Sequence, residues 1–436
     1  MLRRTFLSAL ALVAVAPFVD ACGSESTSGT TTTAAGPRRS SLRGTAAHVT
    51  AGADPKTASK AINEFAHNLF DRLVAADPTA NLVFSPASIS IALTMTSAGA
   101  KGTTLAEMMA VLQITDPTAI HQSMNGLTNA IVGLNQSEDN TSQGGTGISE
   151  VELSIANSLW GQAGLSFEQA FLDVLSADYD AGLELVDYKT DPEAARVAIN
   201  EWVKKQTKDR IPQLLAEGTI TIDSRLTLVN AIYLKANWAT KFAKDLTADG
   251  PFTASAGKVT VPMMHREGRL DYASGDGWQA VDLPYVFGRL SFTVAVGDAP
   301  DVVLPTGDEV FAAFENRLVQ LTIPKFDIQT ATSLSTVLSA MGMATAFTDR
   351  ADFSGMTKAE RLLISSVIHQ ANVTVDEEGT EAAAATAVVM EATSAPAPEE
   401  PVVLTVDRPF TYWLRDTTSN AVVFMGRVND PSATRS

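Results

Sequence analysis

Residues 373–390 read VTVDEEGTEAAAATAVVM, an apolar run that passes through three acidic residues into an alanine-rich block. By intrinsic propensity the alanine block favours a short helix, followed by a proline-rich loop. If the segment is instead a strand, alternate side chains lie on opposite faces of a sheet. One face then carries only small or apolar groups, from Thr380, Ala382, Ala384, Thr386, Val388 and Met390. Propensity and period leave both interpretations open.

A strand with such a face has the properties needed to enter an existing sheet. Its small side chains avoid overpacking a core, and Gly379 tolerates the backbone reversal that such a movement requires. Pro396, Pro398 and Pro401 lack the N–H that a central strand needs. Any strand formed here therefore ends before Pro396.

The chain from Lys56 onward has the pattern of one mixed domain. Apolar residues at helical spacing predict a helix at 57–76. Ser85-Pro86 predicts the start of the next helix, and Thr104 and Glu107 have the spacing of a capping box. Strand-like runs dominate the second half, at 226–234, 290–296, 318–323, 362–368 and 402–406. Because helices and strands are segregated, the pattern predicts an α+β domain with antiparallel or mixed sheets.

Composition excludes several classes of function. The 436 residues include 32 Lys+Arg against 49 Asp+Glu, a formal charge of −17, which argues against nucleic-acid binding. Cys22 is the only cysteine, so no internal disulfide is possible. The five histidines are scattered, and no glycine-rich nucleotide motif occurs. We therefore expect no metal and no cofactor.

Residues 1–21 have the composition of an export signal. Arg3 and Arg4 precede an apolar run at residues 6–18, which is too short to span a bilayer. The arginine pair resembles a twin-arginine motif, which implies export of a folded protein, but paired arginines also occur in general secretion signals. Either route predicts an exported, extracytoplasmic protein.

Cys22 follows Val19-Asp20-Ala21, which resembles a bacterial lipoprotein cleavage box. In such a box the cysteine is lipidated and becomes the new N-terminus, anchoring the protein to the cell membrane. Asp20 departs from the usual small or apolar residue, so simple cleavage after Ala21 with secretion is the alternative. Residues 22–55 are rich in Ser, Thr, Gly and Ala, and their composition predicts a flexible tether.

Ser255 and Lys258 form the one S-x-x-K pattern in the chain. A penicillin-recognising enzyme places this tetrad at a helix start and also carries S-D-N and K-T-G motifs. Neither motif occurs here, and Ser255 precedes a Val-Thr-Val strand. An envelope serine enzyme that uses Ser255 is therefore a minor alternative.

Six blocks of the chain resemble the signatures of the serpin family. In chain order they are residues 81–89 (NLVFSPASI), 230–238 (NAIYLKANW) with Phe242, 261–264 (VPMM), 323–326 (IPKF), 404–410 (LTVDRPF) and 424–428 (FMGRV). Thr411 stands where the family prefers a large apolar residue. The segment after Asp376 resembles the hinge and reactive-centre loop of serpins, which favours the strand interpretation over the helix.

The resemblance implies a serpin-like single domain at residues 56–431, with a reactive-centre loop at about 377–403 and a C-terminal tail at 432–436. It implies a large central mixed or antiparallel sheet, further sheets and about eight to nine helices. Together with the N-terminal features, it implies a bacterial exported lipoprotein that is monomeric.

The resemblance also implies a protease inhibitor rather than an enzyme. In serpins a serine protease attacks the exposed loop and forms an acyl-enzyme, and the cleaved loop then inserts into the main sheet. The protease is trapped before water releases it. The expected partner is thus a serine protease, with cysteine proteases as a second class.

The family pattern assigns roles in the loop by position. Counting from Glu377 places the scissile bond at Thr393-Ser394, with Ala392 or Ser394 as alternative sites of cleavage, whereas counting back from Leu404 places it near 396–398. A small residue such as Thr393 favours elastase-like or subtilisin-like proteases. The implied hinge residues are Glu377, Gly379, Thr380, Glu381, Ala382, Ala383, Ala384, Ala385 and Thr386.

Further positions match structural roles in the family. The implied polar cluster beneath the opening strands consists of Ser85, Ser88, Asn230 and His369, and Trp238 matches the tryptophan at the top of the sheet. His369 and Trp238 are equally compatible with ordinary core packing. A non-inhibitory serpin-fold binding or scaffold protein is the main alternative, but the small hinge residues favour insertion.

Overall fold

Helices dominate the first half of the described chain, as the apolar spacing predicts. The computed structural model describes residues 39–50, 53–139, 148–299, 302–380 and 399–433, which belong to one compact unit. The α-helices within these residues are α1 (Lys56–Ala76), α2 (Pro86–Ser97), α3 (Gly102–Val111), α4 (Ile120–Val132), α5 (Gln169–Tyr179), α6 (Pro192–Gln206), α7 (Gly307–Ala312) and α8 (Ser335–Leu338). None of these helices combines the length and the apolar character needed to cross a bilayer.

Two helix starts show what local sequence does and does not decide. Ser85 caps α2, because its side chain accepts a hydrogen bond from the Ser88 N–H and Pro86 occupies the first turn. The predicted capping box at Thr104 and Glu107 is wrong, since α3 already begins at Gly102. The Glu107 carboxylate instead accepts hydrogen bonds from the N–H and hydroxyl of Thr345, at 2.8 and 2.7 Å.

Eight strands of the described chain form the main sheet. They are β1 (Ser40–Leu42), β3 (Gln136–Asp139), β4 (Ile148–Gln162), β5 (Leu183–Val186), β6 (Leu226–Asn237), β12 (Phe326–Ser333), β13 (Ser366–Val375) and β14 (Gly379–Thr380). Their order is β1-β5-β4-β6-β14-β13-β12, with β3 beside β4. β4 is antiparallel to β6, whereas β13 is parallel to it, so the sheet is mixed as predicted.

Nine strands of the described chain form the second sheet. They are β2 (Leu82–Phe84), β7 (Ala248–Ala254), β8 (Gly257–Gly275), β9 (Trp278–Pro284), β10 (Leu290–Gly297), β11 (Glu315–Pro324), β15 (Val402–Thr405), β16 (Phe410–Asp416) and β17 (Val422–Val428). Their order is β15-β11-β8-β9-β10-β16-β17-β2, with β7 beside β8.

Helices cover both faces of the main sheet. On one face, all residues of α2 are buried, which explains why its sequence is apolar or small on every side. On the other face, Trp202 of α6 meets Trp160 of β4 edge to face, with ring centroids 5.9 Å apart. This arrangement of segregated helices and mixed sheets confirms the predicted α+β class.

The predicted flexible tether is wrong for residues 39–50. Ser40–Leu42 adds β1 to the edge of the main sheet, antiparallel to β5. The chain then follows α5, where the N–H groups of Thr45 and Ala46 donate to the Asp173 carboxylate at 2.7 and 3.2 Å. These bonds come from backbone N–H groups, which every non-proline residue carries and which composition therefore cannot reveal.

Close backbone approach explains one glycine of this segment. A Cβ on Gly44 would lie 2.5 Å from the carbonyl carbon and oxygen of Leu172, in α5. Residues 39–50 therefore belong to the folded domain, which begins before the predicted boundary at residue 56. Residues 53–55 of the predicted tether are also described, and the Asp54 carbonyl accepts a hydrogen bond from the Ser123 hydroxyl at 2.9 Å. The remaining parts of the predicted tether, at 22–38 and 51–52, and the predicted signal peptide lie outside the described residues.

Candidate functional site

Two residues of the predicted hinge, Gly379 and Thr380, form a strand of the main sheet. In β14, Gly379 pairs with Asn237 and Thr380 with Ala236, both on β6, while Thr380 also pairs with Val375 on β13. Below this point β6 and β13 pair directly with each other, over residues 227–232 and 366–371. We call this directly paired region the seam. A two-residue strand thus lies at the head of a seam between two parallel strands.

Glycine is required at the entry to this strand. Gly379 has a φ of +155°, a backbone conformation that residues with a side chain rarely adopt. A Cβ at this position would also lie 2.0 Å from the carbonyl oxygen of Ala236. The backbone role expected of Gly379 therefore has two independent physical causes.

A tight turn connects β13 to β14. The Asp376 carboxylate accepts hydrogen bonds from the N–H groups of Glu378 and Gly379, at 2.8 and 3.2 Å. Burial raises the pKa of Asp376 above its ordinary value, although these two bonds oppose the shift. Trp238 fixes the turn from the side, because its indole Nε1–H donates to the Asp376 carbonyl at 2.8 Å and its backbone N–H to the Glu378 carbonyl at 3.0 Å.

Lysines neutralise the two glutamates of the turn. Lys325 contacts the Glu377 carboxylate at 2.7 Å, and Lys241 and Lys244 contact the Glu378 carboxylate at 2.6 and 3.0 Å. Both carboxylates are buried, and burial alone acts to raise their pKa values. For Glu378 the lysine contacts outweigh burial and hold the pKa below its ordinary value. For Glu377 the Lys325 contact does so together with hydrogen bonds from the residue's own N–H and from the Thr247 hydroxyl, at 2.8 Å for the latter.

The four residues of the predicted polar cluster lie together, with Asn230 and His369 in the middle of the seam and Ser85 and Ser88 at the start of α2. Asn230 of β6 and His369 of β13 are directly opposite each other, and the His369 Nδ1–H donates to the Asn230 side-chain oxygen. The Asn230 amide donates to Ser88 Oγ at 2.6 Å, and the Ser85 N–H donates to His369 Nε2 at 3.1 Å. The cluster therefore joins the two strands of the seam to the start of α2.

The hydrogen bonds of His369 define its protonation state. Nε2 accepts from the Ser85 N–H, so the proton of the neutral ring is on Nδ1. The side chain is fully buried, and burial lowers its pKa to about 3. The imidazole is thus neutral over the physiological range.

Sequence reasoning missed several residues of the site. Asn157 of β4 accepts the second hydrogen bond of the Asn230 amide at 2.6 Å, and its signal was a polar residue within a largely buried strand. Lys325 lies inside the IPKF block, so the block contained the partner of Glu377. Nothing in the sequence pairs Lys241 or Lys244 with Glu378, because these partners lie more than 100 residues apart.

The described chain resumes at Glu399, near the end of the predicted loop. Arg269 and Arg317 contact the Glu399 carboxylate at 2.6 and 3.6 Å, and β15 follows as a parallel neighbour of β11. Six of the predicted hinge residues and the predicted scissile bond lie outside the described residues, as does Cys22: Glu381, Ala382, Ala383, Ala384, Ala385, Thr386, Thr393 and Ser394.

The alternative nucleophile has a structural role. Ser255 lies in the turn between β7 and β8, and its hydroxyl donates to the side-chain oxygen of Asn429 at 2.5 Å. An amide oxygen is not a general base, so this contact does not activate the serine. In the described parts of the chain, His, Cys, Asp and Glu residues form no group of three or more that could hold a metal ion.

Comparisons with known proteins agree with this architecture. The family model described as "Serpin (serine protease inhibitor)" matches residues 60–431. A serpin-like protein of Thermococcus kodakarensis is 34% identical over 383 residues, covering 86% of each chain. The leukocyte elastase inhibitor of Sus scrofa is 34% identical over 390 residues, covering 86% of this chain and 99% of the inhibitor.

Solved structures show the same fold. The native state of the thermophilic serpin tengpin superposes with a TM-score of 0.77 at 25% identity, covering 89% of this chain and 97% of tengpin. Uncleaved ovalbumin superposes with a TM-score of 0.73 at 24% identity, covering 87% and 100%. With the matched family model, the 34% identical relatives and the hinge at the head of the seam, the chain belongs to the serpin family.

Proposed function

We propose that this protein is a suicide inhibitor of serine proteases, with the segment between Thr380 and Glu399 as its bait. The observation that carries the proposal is the position of β14, seated between β6 and β13 at the head of the seam. A cleaved loop that remains attached at Thr380 has a path into the sheet that starts from a formed strand. The similarity to leukocyte elastase inhibitors supports the same function.

Extending the register of β14 predicts where each loop residue would lie after insertion. Thr380 is opposite Ala236 and Val375, and in antiparallel pairing each later loop residue meets an earlier residue on both neighbours. Ala384 would then lie opposite Ile232 and Ala371, both fully buried. Insertion of a small side chain at that level is compatible with a packed core.

The same register brings Thr386 to the level of Asn230 and His369. These two residues are directly opposite across the seam, so an inserted strand must part them and break their hydrogen bond. A threonine hydroxyl can both donate and accept, and can therefore replace the lost partner on either side. Insertion would thus replace the hydrogen bond between Asn230 and His369 with hydrogen bonds to the Thr386 hydroxyl.

The proposed reaction follows the chemistry of acyl transfer. The protease serine attacks the carbonyl of Thr393, the bond to the Ser394 nitrogen breaks, and the new amino terminus leaves with a proton. The product is an ester between the protease serine and Thr393. Insertion carries this ester away before water completes hydrolysis. A cysteine protease would form the corresponding thioester.

The target class follows from the loop sequence. Thr393 is small, which suits the shallow specificity pockets of elastase-like or subtilisin-like proteases. Cleavage at Thr393-Ser394 would leave the prolines from Pro396 onward on the released side of the cut. The inserting arm would then contain no residue that lacks an N–H.

We also propose export and lipid anchoring at Cys22. The supporting features are the arginine pair, the short apolar run and the position of the only cysteine. In a bacterial host, Cys22→Ser should move the protein from the membrane fraction to the medium. Equal membrane retention of the variant would contradict the anchor.

A denaturing gel tests inhibition directly. Mixed with elastase or subtilisin, the protein should give a covalent complex that survives boiling in detergent and is absent when the protease serine is blocked beforehand. Mass spectrometry of the released C-terminal peptide should show a first residue of Ser394. Cleavage in the loop without a complex would overturn the proposal in favour of a non-inhibitory serpin.

A further inference from the structure

The hydroxyl groups of Thr380 and Tyr285 meet inside the protein, 2.5 Å apart. Both side chains have no solvent exposure. Thr380 is the inner residue of β14, so it is the position from which any further insertion would continue. The contact therefore acts on the residue at which insertion of the loop would begin.

Tyr285 is held from the second sheet. It follows β9 directly, and its N–H donates to the carbonyl of Leu290 at 3.0 Å. Its ring stacks on Trp238, with centroids 4.5 Å apart and planes at 14°. The phenol is thus fixed by neighbours outside the hinge, and its hydroxyl reaches into the hinge.

Apart from the strand pairing of β14 with β6 and β13, this contact differs from the other hinge contacts that the structure describes. The lysine ion pairs and the backbone bonds from Trp238 and Phe242 hold residues 376–378, which precede β14. The Tyr285 hydroxyl instead binds the side chain of Thr380 itself. The Tyr285 contact therefore affects whether Thr380 stays in the sheet, whereas the other contacts affect the shape of the turn.

We infer that Tyr285 is a positioning residue for insertion of the loop, an inference that rests on the proposed inhibitory function. Its hydroxyl keeps Thr380 seated at the head of the seam before cleavage, so insertion continues from a formed strand pair. Trapping is a race between insertion and hydrolysis of the acyl-enzyme. If the hinge must first re-enter the sheet, insertion is slower and a larger fraction of the acyl-enzyme is hydrolysed.

The contact can be tested with a double-mutant cycle. Tyr285→Phe leaves the Thr380 hydroxyl buried without its partner, and Thr380→Val does the same to the Tyr285 hydroxyl, both of which are unfavourable. The double variant removes both hydroxyls and leaves two apolar groups of similar shape in contact. Tyr188→Phe is the matched control, since Tyr188 is fully buried and donates one hydrogen bond, to the Trp160 carbonyl at 3.1 Å.

The first measurement is hydrogen exchange of the uncleaved full-length protein, which requires no protease. The second is the number of inhibitor molecules consumed per elastase molecule inactivated, measured together with the association rate constant. Each single variant should raise exchange in residues 376–380 by about five-fold, since a lost hydrogen bond is worth about 1 kcal/mol. It should raise the ratio of hydrolysed to trapped acyl-enzyme, which is the number consumed minus one, by the same factor. The double variant should return towards wild type, and Tyr188→Phe should change neither quantity.

Each contrary result has a separate meaning. Unchanged exchange in Tyr285→Phe would show that Thr380 is seated without Tyr285, and would overturn the inference. Raised exchange with an unchanged number consumed would show that seating does not limit insertion, and would overturn the positioning role. Failure of the wild-type protein itself to form a complex would overturn the proposed function and the positioning role with it.

Discussion

His369 should make this serpin less stable as the pH falls from 6.5 towards 3. Its imidazole is fully buried and has a pKa of about 3 in the folded protein, whereas an unfolded histidine titrates near 6.5. Between these values the unfolded chain binds a proton that the folded protein excludes. Proton binding then favours unfolding, so the contribution of His369 to stability is complete above pH 6.5 and is lost below it.

The magnitude follows from the size of the shift. Within this window each pH unit changes the free energy of unfolding by about 1.4 kcal/mol for each excluded proton. From pH 7 to pH 5, His369 should therefore remove about 2 kcal/mol of stability. His121, whose pKa burial lowers to about 4, should remove about 2 kcal/mol more over the same interval.

Urea unfolding at pH 7 and pH 5 measures this effect in wild type, His369→Gln and His121→Gln. Glutamine keeps one donor and one acceptor but does not titrate in this range. Each variant should lose about 2 kcal/mol of the pH dependence. His121 bonds to the Tyr179 hydroxyl at 2.7 Å, away from the seam, so only His369→Gln should also change the rate of protease trapping at pH 7.

An equal pH dependence in wild type and His369→Gln would refute this reasoning. It would mean that the folded protein accepts a proton on His369 as readily as the unfolded chain does. Both ring nitrogens would then be donors, and the bond from the Ser85 N–H would be lost. The described arrangement of the polar cluster would be incompatible with that result.

Three further predictions concern other parts of the molecule. Cleavage in the loop should raise the unfolding temperature by about 10 °C, because the new strand adds backbone hydrogen bonds on both sides. Calorimetry should show the rise in wild type and its loss in Ala384→Arg, which would bury a charge between Ile232 and Ala371, and no rise in wild type would contradict insertion. Gly44→Val should lower the free energy of unfolding by about 1–3 kcal/mol, because the valine side chain would collide with the Leu172 carbonyl. Hydrogen exchange should increase in residues 39–50 and in α5, and full protection of both regions in the variant would count against the docked segment. Glu377→Gln should lower the free energy of unfolding by about 1 kcal/mol or less. The difference from wild type should shrink in 1 M salt, which screens the partly exposed ion pair with Lys325. A difference that does not depend on salt would exclude charge as its cause.

The sequence by itself determined most of the elements and the need for a glycine at position 379. The cap at Ser85 and the apolar run of β6 depend on neighbouring residues and on period, so they can be predicted without the fold. Gly379 could be predicted because the backbone conformation it permits depends on the residue itself. The family could also be predicted from the sequence, because its signature blocks are local stretches of sequence.

The tertiary structure alone decided which distant groups meet at the site. Tyr285 reaches Thr380, Glu107 bonds to Thr345 instead of capping its own helix, and residues 39–50 dock on α5 although their composition predicts a tether. In each case the decisive bond joins residues from 95 to 238 positions apart. Hydrogen bonds and close contacts depend on distance in space, and separation along the chain carries no information about that distance until the sheets and helices have packed.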